Sequence, residues 1–238
     1  MGAIVYKGVE CEWGLNHGLI GSSNLLPGIA VRGKLAAIGS IRHHREGDGL
    51  FHEGSEASCI LYIDSGVVKV INSLPGGKEI VQGFLFPGDL AGFGEYGGYA
   101  ATVKAITPVA AVHLRAAAVE ALLRSDPDLQ SQIFFKLCQN LRLAQQHVVS
   151  LVQPSAKKRI VMLLNLLRIH SQFPRQSPEQ IHLPMSRTDI ADYTGLAVET
   201  VSRNFQRLQR EGTIRLITSH CVEITDERVF ESLLRTED

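Results

Sequence analysis

The stretch SRTDIADYTGLAVETVSRNFQRLQR, at residues 186–210, contains two short helical patterns separated by a glycine turn. Ser186, with Asp189 three residues later, is a capping-box-like helix start in which Asp replaces the usual Glu or Gln. Gly195 stands where the chain must reverse tightly between the two helices. The second pattern, at residues 199–210, has an apolar stripe at helical spacing, formed by Val201, Phe205 and Leu208. This arrangement predicts a helix-turn-helix.

The opposite face of the second helix is polar and charged. An Arg side chain can pair with O6 and N7 of guanine, and a Glu side chain can accept from N4 of cytosine. A solvated charged face is the plainer interpretation, but side chains at the start of this helix can reach base edges, which favours DNA reading. Arg207 and Arg210 lie further along and are expected on phosphates. The expected DNA-binding residues are Ser186, Arg187, Thr188, Val198, Glu199, Thr200, Ser202, Arg203, Arg207 and Arg210.

A short β-hairpin is predicted after the second helix, over residues 212–216 and 221–224. A hairpin in this place is the wing of a winged helix-turn-helix. From Ser155 onward the chain has 12 Lys and Arg against 11 Asp and Glu, so this part is barely positive. Affinity for double-stranded DNA must therefore come from a local patch and from doubling of the site in a dimer.

A long amphipathic helix is predicted over residues 126–154, where Pro154 ends it. Its apolar residues recur at alternating spacings of three and four, which is an a/d heptad seam. Such a helix could lie on the core of its own domain, but the polar residues on its other faces favour pairing with a second copy. The expected dimerisation residues are Phe134, Leu137, Leu141, Ala144, Val148 and Leu151.

The part before this helix has a β pattern. Short runs of β-branched residues alternate with turns at residues 64–66, 75–78 and 87–89, which is typical of a small β-roll or barrel. The predicted fold class is α+β, with a cyclic-nucleotide-binding-like β-roll, a long dimerisation helix and a C-terminal winged helix-turn-helix. Its parts are an irregular N-terminal arm at 1–30, the roll at 31–125, the helix at 126–154 and the DNA-binding domain at 155–238.

Composition excludes several classes of protein. The 238 residues include 24 Lys and Arg and 24 Asp and Glu, so bulk positive charge cannot hold nucleic acid. No apolar run approaches the roughly 20 residues of a membrane helix, and the first twelve residues lack the pattern of a signal peptide. The scattered cysteines Cys11, Cys59, Cys138 and Cys221 form neither a disulfide framework nor a metal knuckle. We expect a cytoplasmic protein without a membrane partner.

Three stretches, at residues 53–70, 86–92 and 186–203, resemble the CRP/FNR superfamily of bacterial transcription regulators. Residues 199–203 match the E-x-x-S-R recognition signature of its FNR side. The resemblance implies a homodimeric regulator, expected to be an activator, that binds a palindrome of TTGA-type half-sites and contacts RNA polymerase. Residues 183–185 and 195–200 look most like the FixK-type group, whose members activate genes for microoxic respiration and, in rhizobia, nitrogen fixation.

The departures from the family pattern concern the effector. Cyclic-AMP-responsive members bind the cyclic phosphate with an Arg-Ser pair, where this chain aligns Tyr99 and Ala100. The long helix of those members contacts the adenine through a Thr-Ser pair, where this chain has Ala144 and Gln145. Iron–sulfur members need three clustered cysteines near the N-terminus, and only Cys11 lies there. Nothing marks a haem ligand. We therefore expect no cofactor and no small-molecule effector; the alternative is the same scaffold gated by an unknown ligand in the roll.

An alternative from a different class is a cupin-like metalloenzyme with a metal held by His43, His44 and His52. A cupin needs His pairs at alternating strand positions, together with a Glu and a further His. Adjacent residues such as His43 and His44 point to opposite faces of a strand. We therefore expect no metal site and no enzymatic activity.

Overall fold

The computed structural model describes residues 27–93, 97–170 and 179–235, with side chains from residue 31. These residues form a β-roll, a long central helix and a C-terminal winged helix-turn-helix, which confirms the predicted fold class. No helix within the described ranges combines the length and apolarity needed to cross a membrane.

The β-roll consists of two four-stranded antiparallel sheets. Their strand orders are β1-β8-β3-β6 and β2-β7-β4-β5. Apolar side chains from both sheets, such as Leu61, Val68 and Val103, fill the space between them and are almost fully buried. The strands are β1 Ser40–His44, β2 Gly49–Phe51, β3 Ile60–Ser65, β4 Val68–Ser73, β5 Glu79–Leu85, β6 Leu90–Ala91, β7 Thr102–Ala105 and β8 Val109–Leu114.

A helix precedes the roll, and the sequence did not predict it. Helix α1, Pro27–Ile38, begins inside the predicted irregular arm, so that prediction is wrong for residues 27–30. The rest of the predicted arm, residues 1–26, lies outside the described residues. Proline is favoured in the first turn of a helix, where its missing N–H is not needed. The glycine-rich composition of this segment does not indicate a helix. The helix buries Leu35 completely under the roll.

The central helix begins from a well-defined cap. After α2, Ala116–Ser125, the side chain of Asp126 accepts a hydrogen bond from the Leu129 amide at 3.0 Å. Helix α3 then runs over Pro127–Leu151, within the predicted range. In the third turn of α3, the ammonium of Lys136 lies 2.8 Å from the buried carboxylate of Asp89, which fixes α3 to the roll.

The C-terminal part forms the predicted winged helix-turn-helix. Helix α4 packs against α6, and the predicted hairpin is completed by a third strand, β9, in the order β10-β11-β9. A final helix, which is not predicted from the sequence, buries Phe230. The elements are α4 Ala156–His170, β9 Gln180–His182, α5 Arg187–Thr194, α6 Val198–Arg210, β10 Ile214–Thr218, β11 Cys221–Ile224 and α7 Glu227–Arg235.

The turn between β3 and β4 depends on a glycine. Gly66 has a φ of +82°, in the left-handed region. A Cβ atom there would lie 2.2 Å from the carbonyl oxygen of Pro108, a backbone atom that cannot move aside cheaply. Gly76, in the next turn, has a similar φ of +92° but nothing within 4 Å of its Cβ position.

We therefore expect Gly66→Ala to destabilise the protein more than Gly76→Ala. Both substitutions strain the backbone by about 1–2 kcal/mol, and only Gly66→Ala adds a clash with a main-chain atom, the Pro108 carbonyl oxygen. Urea denaturation followed by circular dichroism measures both free energies of unfolding. Equal losses in the two variants would show that the Pro108 contact is not what requires glycine at residue 66.

Candidate DNA-binding surface

A complete capping box starts the first helix of the helix-turn-helix. The Ser186 hydroxyl accepts from the Asp189 amide at 3.1 Å, and Asp189 Oδ2 accepts from the Ser186 amide at 3.0 Å. The Ser186 hydroxyl also donates to Oδ2 at 2.7 Å. Burial raises the pKa of Asp189, but hydrogen bonds from Lys69 and Ser186 outweigh it and bring the pKa below its usual value. Asp189 is therefore ionised and can hold both partners.

The turn between α5 and α6 has the geometry that a glycine permits. Gly195 adopts a left-handed conformation with a φ of 66°, and the Leu196 amide donates to the Ala191 carbonyl at 3.0 Å. Arg159 of α4 supports this turn by donating to the Thr194 carbonyl at 3.2 Å. The start of α6 is thereby held at a fixed angle to α5.

Helix α6 separates a buried face from an exposed charged face. Its apolar stripe, Val201, Phe205 and Leu208, is at most 1% exposed. Glu199, Arg203, Arg207 and Arg210 are exposed on its outer side. The Arg203 guanidinium donates to the Thr200 hydroxyl at 3.2 Å, and within the described residues no carboxylate pairs with Arg203 or Arg210. Both guanidinium groups are thus open to an anionic partner.

Arg207 differs from its two neighbours because it is already paired. Its Nε lies 2.8 Å from a carboxylate oxygen of Glu211, whose other oxygen lies 3.1 Å from the ammonium of Lys157. The hydrogen bonds from Arg207 and Lys157 lower the pKa of Glu211. A phosphate that binds Arg207 must therefore compete with this carboxylate.

The other predicted DNA-binding residues fall into two groups. Ser186, Thr188 and Val198 are exposed at the starts of α5 and α6, while Thr200 and Ser202 are half-buried. The Arg187 guanidinium instead lies 3.9 Å from the centre of the Phe205 ring, and burial lowers its pKa. In this structure Arg187 contacts the neighbouring helix rather than the outer surface.

Gln209 has a structural role that no pattern in the sequence indicates. Its side-chain oxygen accepts from the Leu216 amide at 3.0 Å, and the Thr213 amide donates to the Leu208 carbonyl at 3.0 Å. These bonds join the wing to the end of α6. In the sequence Gln209 is one of several polar helix residues, and nothing distinguishes it.

Side chains of the β-roll and of α3 contact α5 directly. The Lys69 ammonium of β4 lies 2.6 Å from Asp189 Oδ1. The Tyr193 ring lies between Phe84 of β5, with centroids 5.2 Å apart, and His147 of α3, with centroids 3.9 Å apart. Burial raises the pKa of Tyr193 and lowers that of His147, so both rings stay neutral in this contact. No pattern in the sequence indicates either contact.

An apolar stripe on α3 lies on the surface of the protomer. Phe134, Leu141 and Val148 are each more than 60% exposed, and Leu151 is 36% exposed. Leu137 is half-buried and packs against the roll. Ala144 is exposed, as are further residues of the same side, Phe135, Cys138, Val149 and Val152. The exposed stripe therefore shares positions 134, 141 and 148 with the predicted seam and is rotated toward Cys138 between them.

An aromatic pair occupies the part of the roll that aligns with the phosphate-binding Arg-Ser pair of cyclic-AMP-responsive members. The Tyr99 ring is 4% exposed and stacks on Phe51 with centroids 3.9 Å apart. Its hydroxyl donates to the Cys59 carbonyl at 2.7 Å and accepts from the Cys59 amide at 3.0 Å. Burial raises the pKa of Tyr99, so its phenol stays neutral. Ala144 and Gln145 are exposed on α3.

The candidate metal ligands His43, His44 and His52 do not come together with further ligands among the described residues. His44 pairs with His113, their Nε2 atoms 3.2 Å apart, and burial followed by the charge of Arg42 lowers the pKa of His113 to about 4. His43 and His52 are both exposed on the surface of the roll. Across the described ranges, no three His, Cys, Asp or Glu side chains come together as a metal site requires.

Comparisons with known proteins match both halves of the chain. A family model described as a Crp-like helix-turn-helix domain matches residues 158–233, and one described as a cyclic nucleotide-binding domain matches residues 41–126. The nitrogen fixation regulation protein FixK of Bradyrhizobium diazoefficiens is 31% identical over 175 residues, which are 74% of each chain. The chain belongs to the CRP/FNR family, in its FixK-type group.

Further similarities agree with this family. The FixK protein of Azorhizobium caulinodans is 29% identical over 84% of this chain and 81% of its own length. The structure of FixK2 from Bradyrhizobium japonicum has a TM-score of 0.75, with 21% identity, and the match covers 84% of this chain and all of that one. This CRP/FNR chain is a DNA-binding transcription regulator and not an enzyme, so the cupin-like alternative is not supported.

Proposed function

We propose that this protein is a homodimeric transcription activator that binds a palindrome of TTGA-type half-sites. The observation that supports this most directly is the outer face of α6, where Glu199 and Arg203 are exposed one turn apart. The recognition helix of a helix-turn-helix enters the major groove with its N-terminal residues against base edges. Arg203 donates to the guanine of the half-site, and Glu199 accepts from the cytosine paired with that guanine or its neighbour.

The remaining cations of α6 act on the DNA backbone. Arg210 is exposed and unpaired within the described residues, whereas Arg207 must leave Glu211 to bind a phosphate. Ser186, Thr188, Val198, Thr200 and Ser202 line the same side of the motif and complete the contact surface. Arg187 supports it through Phe205.

The dimer forms through the exposed stripe of α3. Phe134, Leu141 and Val148 leave large apolar side chains in water, and their heptad spacing suits a parallel pair of helices. Ala144 and Leu151 flank them, and Leu137 joins the stripe to the core of the roll. A two-fold dimer presents two reading helices to the same groove one helical turn apart, which a palindrome requires.

The protein works without a small-molecule effector. The buried ring of Tyr99 and its bonds to Cys59 take up the position aligned with the phosphate-binding pair of cyclic-AMP-responsive members. A cyclic phosphate without an Arg partner is poorly held. The rival proposal, gating by an unknown ligand in the roll, is favoured by the match of residues 41–126 to the cyclic nucleotide-binding domain model.

The regulated genes are those of microoxic respiration or nitrogen fixation, and the protein recruits RNA polymerase in the cytoplasm. Support comes from two relatives named nitrogen fixation regulation protein FixK, at 29% and 31% identity.

We expect Arg203→Ala to cost roughly 1–3 kcal/mol of binding free energy per half-site and to flatten the preference at the guanine. Arg210→Ala is the matched variant. It removes a phosphate contact, so it lowers the affinity for all DNA sequences about equally. It also reduces the slope of the logarithm of the binding constant against the logarithm of the salt concentration by about one unit. Both variants are titrated against the consensus duplex and its single-base variants at several salt concentrations. Full discrimination at the guanine in Arg203→Ala would contradict the proposed reading face.

We expect Leu141→Asp combined with Val148→Asp to give monomers. Each side chain contributes roughly 1.5–3 kcal/mol when buried against its copy, and charges in the seam would repel. Ile41→Asp, at a residue 47% exposed on the roll, is the control and leaves the dimer intact. Analytical ultracentrifugation measures the oligomeric state of wild type, the double variant and the Ile41→Asp control. A double variant that remains a dimer would show that subunits meet elsewhere.

We expect DNA binding and in vitro transcription to proceed without cyclic AMP. Adding it changes the dissociation constant by less than about twofold, because no differential contact favours the DNA-bound state. Protein freed of small molecules by unfolding and refolding is compared with untreated protein in the same titration. Loss of DNA binding on this treatment, restored by a cell extract, would favour the ligand-gated rival; a large gain with cyclic AMP would overturn the proposal directly.

A further inference from the structure

The carboxylate of Asp189 contacts residues of both the winged helix-turn-helix and the β-roll. Asp189 Oδ2 closes the capping box of α5 with Ser186, and Asp189 Oδ1 receives the Lys69 ammonium at 2.6 Å. Lys69 and Asp189 are 120 residues apart in the chain. Their side chains are only 13% and 11% exposed, so this ion pair is shielded from water. Breaking a buried pair by removing one partner costs far more than losing a surface pair.

Lys69 is surrounded by further carboxylates from both domains. Glu79 of β5 has an oxygen 4.0 Å from the Lys69 ammonium. Burial raises the pKa of Asp192 in α5, Lys69 and Lys78 oppose this, and the negative charges of Asp189 and Glu79 add to it. Without the Lys69 charge, the acidic residues of α5 and β5 face one another with less compensation, and the two elements repel.

The same interface connects α5 to the dimerisation helix. Tyr193 packs on Phe84 of the roll and on His147 of α3, and the roll is itself fixed to α3 by the Lys136–Asp89 pair. The orientation of α5, and of α6 behind it, is therefore set relative to α3. The outer face of α6 stays exposed in this arrangement.

We infer that Lys69 is a positioning residue that fixes the direction of the reading helix relative to the dimer axis and thereby determines which half-site spacing the protein accepts. The inference rests on the proposed dimeric reading of a palindrome. Lys69 contacts α5 and not α6, so it affects where the second half-site must lie and leaves base recognition within each half-site unchanged.

The test compares Lys69→Met with wild type on palindromes whose central spacer is of consensus length or is one or two base pairs shorter or longer. One added base pair rotates a half-site by about 35° and moves it by about 3.4 Å. We expect wild type to lose at least about tenfold in affinity for each altered spacer, the scale of a mismatched base pair, and Lys69→Met to lose less than about threefold.

The matched control is Lys104→Met. Lys104 lies opposite Lys69 in the β4–β7 register and forms no ion pair within the described residues. We expect this control to keep the spacer profile of wild type, and Lys69→Arg, which retains the charge, to do the same. Preference within a single half-site is measured in parallel and stays unchanged in all variants. A merely structural role would lower affinity for every spacer equally and leave the profile parallel to that of wild type.

Asp189→Asn provides an independent variant, because an amide oxygen can still accept from Ser186 while the charge that holds Lys69 is removed. It is expected to broaden the spacer profile as Lys69→Met does, and the double variant to add nothing further. A Lys69→Met and an Asp189→Asn protein that both discriminate spacers like wild type overturn the inference. A wild-type protein that binds no palindrome at any spacing overturns the proposed function instead.

Discussion

The apolar core shared between the β-roll and the winged helix-turn-helix is the interaction on which this structure depends. Phe84 and Phe86 of the roll belong to the same buried cluster as Ile160, Ile190 and Tyr193 of the C-terminal part. Burial of this surface keeps water away from the Lys69–Asp189 pair and makes that pair sensitive to geometry. The two halves are separate in sequence, but their packing is continuous.

Local chemistry explains what could be predicted from the sequence. The capping box at Ser186, the reversal at Gly195 and the wing after Gly212 each depend on residues a few positions apart, and each is present in the structure. The long helix was equally accessible, because periodicity shows it directly. The start of α1 was not, since its stability comes from burying Leu35 under strands further along the chain.

The same distinction between local features and contacts of distant residues applies to the candidate DNA-binding surface. The exposed face of α6 follows from its periodicity, but the sequence could not show that Arg187 turns onto Phe205 or that Gln209 anchors the wing. The rotation of the exposed α3 stripe away from Leu137 depends on where the roll packs. Contacts between residues far apart in the chain, as between Lys69 and Asp189, leave no pattern that one sequence can display.

The double role of Asp189 also limits how such regulators can diversify. The N3 position of a capping box is also filled by Glu or Gln, so a winged helix-turn-helix taken alone would tolerate exchange at this position. Here the carboxylate must also match a lysine on a strand of another domain. A recombination event that joined this winged helix-turn-helix to a roll lacking Lys69 would leave a buried charge without its partner, so the two domains are expected to be inherited together rather than shuffled as independent modules.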